Sequence, residues 1–240
     1  MPVLTFLRSD WERDVPVLRT YAEFLVRLEQ LGFMALSKHP AGLPSLGEET
    51  AAESWHTGDV ETDPWQWKDR AAQEKQAAYG CILNGQKGFV TARMYAYFYA
   101  AYHPAQTLAD RYAAGELKQT TLQVWQLLEQ AGMRSTSELR RAMGVNPGRG
   151  AGRLDASIQD LQREFYIAIA GNRRKLAKDG QPYGWPNNVF ETVPRWAPSE
   201  WLDGVWRIPR REAAAVILDE GLAQREGLSA DVLQRELGLP

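Results

Sequence analysis

A chain of 240 residues, 44% hydrophobic and 24% charged, is too apolar to stay disordered and long enough to bury a core of useful size. No uninterrupted apolar run approaches the roughly 18 residues needed to cross a bilayer, and a single cysteine, Cys81, excludes an intrachain disulfide or a thiolate zinc cluster. The formal net charge of −2 hides an uneven map: Gly47 to Asp63 holds Glu48, Glu49, Glu53, Asp59, Glu61 and Asp63 with no Lys or Arg, whereas Arg134 to Lys178 holds ten basic residues against four acidic ones. The second segment is the electrostatic footprint expected of a polyanion-binding module.

Met1 to Leu7 is a short apolar run followed at once by Asp10, Glu12 and Asp14. It does not read as a signal peptide, so a cytoplasmic protein is expected. Leu18, Tyr21, Leu25, Leu28 and Leu31 recur at helical spacing and predict a helix from about Pro16 to Leu31, with Asp14 as N-cap and Gly32 as its stop. Residues 38–62, rich in Gly, Pro, Ser, Thr and Glu, read as a long loop. Asp63 and Pro64 then open a second helix, expected to reach Tyr79 and end at Gly80. Cys81–Leu83, a turn at 84–88 and Phe89–Val90 predict a hairpin, and Arg93–Tyr102 a helix rich in aromatic residues.

Glu116 to Ala131 is the next helix, and Ser135-Thr136-Ser137-Glu138 caps a short one reaching Met143. Leu154, Ile158, Leu161 and Phe165 give the apolar face of a third, about Arg153 to Glu164. The period then changes to two in Tyr166–Ala170, a basic turn spans Gly171 to Gly184, and Val189–Val193 returns as a strand. Arg210–Gln224 and Ala230–Leu237, the latter capped by Ser229, close the chain as helices. No internal repeat is legible.

The fold read from this order is α+β and mainly helical. An N-terminal helical and hairpin domain covers 1–115, and a winged-helix module (three helices plus a β-hairpin wing) covers 116–197. A helical segment follows over 198–240. In a winged helix the third helix usually enters the major groove and the hairpin reaches an adjacent groove or the backbone. That places Arg153, Gln159, Gln162 and Arg163 toward base edges, with Ser157 and Asp160 on the same polar side. Arg149 before the helix and Arg173, Arg174, Lys175 and Lys178 in the wing suit phosphates. The expected partner is double-stranded DNA.

No cofactor or metal is called for: His39, His56 and His103 are far apart, and no phosphate-cradling Gly-rich loop with Lys-Ser or Lys-Thr exists. The segment Trp55 to Arg70 sets carboxylates beside tryptophans. Glu61 or Asp63 could orient a water there, with Trp65 or Trp67 against an extruded base. Alternatively Asp63 caps its helix and the tryptophans are core. Three functional readings stay open: a DNA-binding protein without assignable catalysis, a divergent DNA glycosylase, and a protein-interaction module.

The run Glu61-Thr62-Asp63-Pro64-Trp65-x-Trp67-Lys68-x-Arg70 with Ala78-Tyr79-Gly80, and the wing segment Arg174-Lys175-x-x-Lys178-Asp179-Gly180-x-Pro182-Tyr183-Gly184-Trp185-Pro186, resemble a bacterial family of AlkZ/YcaQ-related winged-helix proteins. The resemblance implies kinship with DNA glycosylases built from tandem winged helices. Those enzymes position water with a Gln-x-Gln or Gln-x-Asp pair, and no glutamine of this chain falls in either pattern. The resemblance therefore transfers no catalytic residue.

Overall fold

The computed structural model describes residues 17–145, 150–177 and 179–240. Asp14, Arg149 and Lys178 lie outside the described residues. Among the described residues the fold is α+β, about half helical, with two three-stranded antiparallel sheets. No helix among the described residues is long and apolar enough to cross a membrane.

Helix α1 (Tyr21–Leu31) is capped by Thr20, whose side chain accepts from the Glu23 amide, and Gly32 at φ +76° ends it. Tyr21, Phe24, Leu28 and Leu31 form its buried face. Strand β1 (Phe33–Ala35) follows, then a long irregular stretch with one 3-10 turn at Ala52–Ser54. Helix α2 (Pro64–Gln73) begins at the expected Asp63 cap but ends well before Tyr79. Lys75 turns the chain at φ +54°, and β2 (Ala77–Leu83) begins with Ala77 opposite Thr91 of β3 (Gln86–Thr91). The sequence points the wrong way here because β2 is buried on both faces, so it lacks period-two alternation, and two alanines favour helix.

Helices α3 (Ala92–Tyr102) and α4 (Leu108–Ala113) lead to α5 (Gln119–Ala131). Strand β4 (Arg134–Ser135) and α6 (Thr136–Ala142) follow, α6 opening on a capping box between Ser135 and Glu138. Helix α7 (Ala151–Arg163) feeds a hairpin of β5 (Ile167–Leu176) and β6 (Pro182–Thr192), much longer than periodicity suggested. Helices α8 (Val193–Trp196), α9 (Arg210–Ala223) and α10 (Ala230–Leu237) complete the chain, α10 capped by Ser229 as expected.

The chain runs through one order twice: helix, short strand, helix, hairpin, helix, with α6 added in the second pass. The sheets have matching strand orders, β1-β3-β2 and β4-β6-β5. Lys75 and Phe165, ninety residues apart, leave their helices in the same left-handed conformation, φ +54° and +56°. Gly32 and Gly132 both end the first helix of their half, and Thr91 and Thr192 both sit at the N-cap after the hairpin. No repeat is visible in the sequence because backbone conformation and burial recur, not side-chain chemistry.

The halves grip each other reciprocally. Helix α2 packs on β5 and helix α7 packs on β2. Both apolar clusters draw on both halves: Phe24, Trp67 and Phe89 share one with Leu128, Leu161 and Phe190, and Phe33, Val90 and Phe98 share the other with Phe165, Val193 and Leu233.

Candidate nucleic-acid interface

Helix α7 buries Leu154, Ser157, Ile158, Leu161 and Gln162, and turns Arg153, Asp155, Gln159, Asp160 and Arg163 away from the core. Two expected reading residues therefore change role. Ser157 accepts from the Thr121 hydroxyl at 3.1 Å inside the core. Gln162 is 4% exposed: its Oε1 accepts from the Cys81 amide at 3.2 Å and its Nε2 donates to the Ile158 carbonyl. A methyl group at Gly80 would stand 2.7 Å from that Oε1, so Gly80 lets β2 approach the helix. Gln159 stays at the surface, but its Nε2 donates to the Gly85 carbonyl at the tip of the first hairpin, 2.9 Å away. The interface between the halves thus takes one edge of α7 that sequence spacing assigned to bases.

The remaining face of α7 is balanced in charge. Arg140 donates to Asp155 at 3.1 Å, and Arg163 pairs with Asp160 at 3.2 Å. Arg153 is exposed and, among the described residues, has no salt bridge. Positive charge is freer on the second hairpin. Arg173, Arg174 and Lys175 are all exposed, and among the described residues only Arg173 pairs with a carboxylate, Glu138 at a loose 3.7 Å. Tyr183 stands opposite Lys175 in the ladder, and Trp185 follows. These two aromatic side chains, 52% and 78% exposed, were not expected at the interface. Their place in a basic hairpin was the available signal.

The carboxylates expected to orient water share one turn but not one cleft. Asp63 is fully buried, its carboxylate accepting from the amides of His56, Gly58 and Trp65 at 2.9–3.0 Å. It is a cap and a loop clamp, with no route to a water or a sugar. Glu61 is exposed and pairs with Arg70 at 2.7 Å. Trp67 is core, stacked on Phe24, while Trp65 is half-buried under Lys68. Elsewhere in the acidic stretch, Glu49 holds Arg27 in a two-pronged bond. Among the described residues no cluster of His, Cys, Asp and Glu could hold a metal ion.

Below the basic hairpin lies a buried polar joint. Lys68 Nζ is 2.6 Å from Asp69 Oδ2, which also accepts from Asn172 Nδ2 of β5 at 2.6 Å. Nζ stands 4.2 Å from the centre of the Trp65 ring. Burial pushes the Lys68 ammonium below its ordinary range, and the charge of Asp69 opposes that shift. This joint fixes α2 to the strand that carries Arg173, Arg174 and Lys175.

A model of a family described as AlkZ related matches residues 18–235, from just before α1 into α10. This chain belongs to the AlkZ-related family. The match takes in both halves, so the AlkZ-related region includes the N-terminal carboxylates, the joint and the basic hairpin alike. Neither the curated proteins nor the solved structures give a match.

Proposed function

We propose that this AlkZ-related protein binds double-stranded DNA, in a role related to DNA repair, through a winged helix formed by α5, α6, α7 and the β5–β6 hairpin. The observation that carries the reading is the second hairpin, with Arg173, Arg174 and Lys175 exposed together. Three cations on a projecting hairpin suit phosphates on either side of a groove. Arg153, exposed in the first turn of α7, is the residue we assign to base edges, while Arg163 stands at the opposite end of the helix. Gln159 contributes at most through its exposed edge, and Gln162 serves the interface between the halves. Arg149 and Lys178 lie outside the described residues and add two cations to this stretch of the sequence. The first half, with the same order of elements apart from α6 and with α2, the counterpart of α7, largely buried, is read as a second winged helix acting as a scaffold.

The family supports a DNA-linked role, and the exposed cations support the polyanion. Titration against a short duplex at several salt concentrations tests this. Binding should weaken linearly on a log–log plot as salt rises, because each neutralised phosphate releases counterions. Absence of binding at low salt, or a flat salt dependence, overturns it.

A further inference from the structure

Trp185 is 78% exposed, and among the described residues no ring or cation covers it. The equally exposed Trp206 differs, because the guanidinium of Arg207 lies 4.4 Å from its ring centre. A bare indole leaves a large apolar surface in water, which a partner with a flat apolar face can relieve.

Trp185 is also held in place. In the ladder Arg173 faces Asn187 while Lys175 faces Tyr183, so the register slips and residues 184–186 leave the regular pairing. Gly184 adopts φ +71°, a conformation that favours glycine. Pro182 and Pro186 flank the turn with fixed φ and no amide to donate. Asn187 Nδ2 donates to the Trp185 carbonyl at 3.2 Å. The backbone therefore presents the ring without burying it, so little backbone freedom is lost when a partner stacks on it.

The neighbours select the partner's chemistry. Lys175 stands directly across from Tyr183, with Arg174 and Arg173 next along the strand. An aliphatic protein surface or a lipid tail has no use for that arrangement, whereas a strand with exposed bases offers phosphates and π-faces at alternating positions. An intact duplex keeps its base faces covered. A side chain inserted there must first unstack a base step, whereas a break in the stack offers a base face without that cost.

We infer that the Tyr183–Trp185 edge of the second hairpin recognises DNA whose base stack is interrupted, by stacking Trp185 on the base exposed at a gap or abasic position while Arg174 and Lys175 hold the flanking phosphates. This rests on the DNA-binding reading above and names its substrate class.

The test compares two duplexes of one sequence, one intact and one with a single-nucleotide gap, by fluorescence anisotropy at fixed salt. The proteins are wild type, Trp185→Ala, Trp185→Phe and Arg174→Ala. Base stacking on an aromatic ring predicts that wild type prefers the gapped duplex by roughly tenfold. Trp185→Ala should lose that preference while keeping affinity for the intact duplex within about twofold, an exposed ring having little part in general phosphate binding. Trp185→Phe should keep most of the preference, and Arg174→Ala should weaken both duplexes alike. Equal binding of both duplexes by wild type, or equal weakening of both by Trp185→Ala, overturns the inference and leaves DNA binding standing. Failure of wild type to bind either duplex at low salt overturns the reading beneath it as well. Unchanged urea midpoints in the exposed-site variants confirm that they are folded.

Discussion

The β2–β3 and β5–β6 hairpins occupy the same place in two passes of one element order, yet one is a packing surface and the other projects. The first takes fifteen residues, Ala77 to Thr91, and closes on the tight turn Asn84-Gly85, with both residues at positive φ. Its tip is occupied: Gly85 accepts from Gln159, and Asn84 donates to the Glu236 carbonyl. The second takes twenty-six residues, Ile167 to Thr192, and among the described residues carries three exposed cations and two exposed aromatic rings beyond the reach of the core. Length decides the difference. A short hairpin is covered by the opposing helix along its whole span, while a long one is covered only at its base, which leaves its outer part free to recognise something else.

The sharpest way to probe this asymmetry is at the base of the long hairpin, where Lys68 and Asp69 stand. Aligning the halves on Lys75 and Phe165 puts Ile158 and Gln159 of α7 at the corresponding places. One half therefore holds a buried ion pair where the other holds a buried isoleucine and a surface glutamine bonded to the Gly85 carbonyl. Replacing Lys68 by Met should cost about 3–5 kcal/mol in urea unfolding, because it leaves Asp69 buried without its counter-charge. The double variant Lys68→Met/Asp69→Leu should recover most of the loss. If single and double variants lose the same amount, the joint works through shape alone, and the two halves are held together in the same way.

Next in size is the contrast between the hairpins themselves. Replacing Arg173, Arg174 and Lys175 by Ala together should weaken DNA binding at least tenfold for every sequence, and flatten the log–log salt slope by about 2–3. Lys87→Ala, the single exposed cation on the first hairpin, should leave both unchanged. Both proteins should keep wild-type stability within about 0.5 kcal/mol, as surface changes do. Comparable affinity losses from Lys87→Ala would erase the functional difference between the hairpins.

Gln162 tests the other side of the comparison, the covered hairpin. Gln162→Leu fills similar space but strands the Cys81 amide, and should cost about 1–3 kcal/mol in urea unfolding. DNA preference should stay as it was, since the side chain faces β2 and not the outer face of α7. A change in base preference without loss of stability would return Gln162 to the reading face.

How much of this was written in the sequence varies by element. Three caps were legible because they depend on a few adjacent residues, Asp63, Ser135 with Glu138, and Ser229, whereas the first helix opens at Tyr21 on Thr20 and not near Pro16. The core face of α7 was legible from its spacing. The start of β2 was not, because a strand buried on both faces carries no alternation. The reach of β5 and β6 was hidden for the opposite reason, since their outer parts are wet on both faces and read as a polar loop. The inward turn of Gln162 could not be seen either: a single helix shows which face is polar, but only the docking of the other half shows which polar residues lose the solvent.

The smallest expected effect concerns pH and compares one histidine from each end of the first half. His39 is 1% exposed, its Nδ1 accepting from the Ala41 amide at 3.2 Å and its Nε2 without a partner among the described residues. His103 lies between Tyr99 and Tyr166, with Nδ1 2.9 Å from the Glu164 carbonyl, so Nδ1 carries the proton. Burial holds both imidazoles below their ordinary value; Glu236 opposes this at His39 and Glu164 opposes it at His103. The folded protein then keeps them neutral at a pH where the unfolded chain, titrating near 6.5, takes up protons. Stability rises with pH wherever the unfolded state binds more protons, so it is present at neutral pH and falls as the pH drops below about 6.5. Urea midpoints at about pH 7.5 and 5.5 should show that fall in wild type. It should be smaller in His39→Asn, whose amide oxygen can still accept from Ala41 but cannot take up a proton. An unchanged wild-type midpoint between the two pH values would mean that the histidines reach solvent before the halves separate. The joint between the halves would then be looser around His103 than its packing against Tyr166 implies.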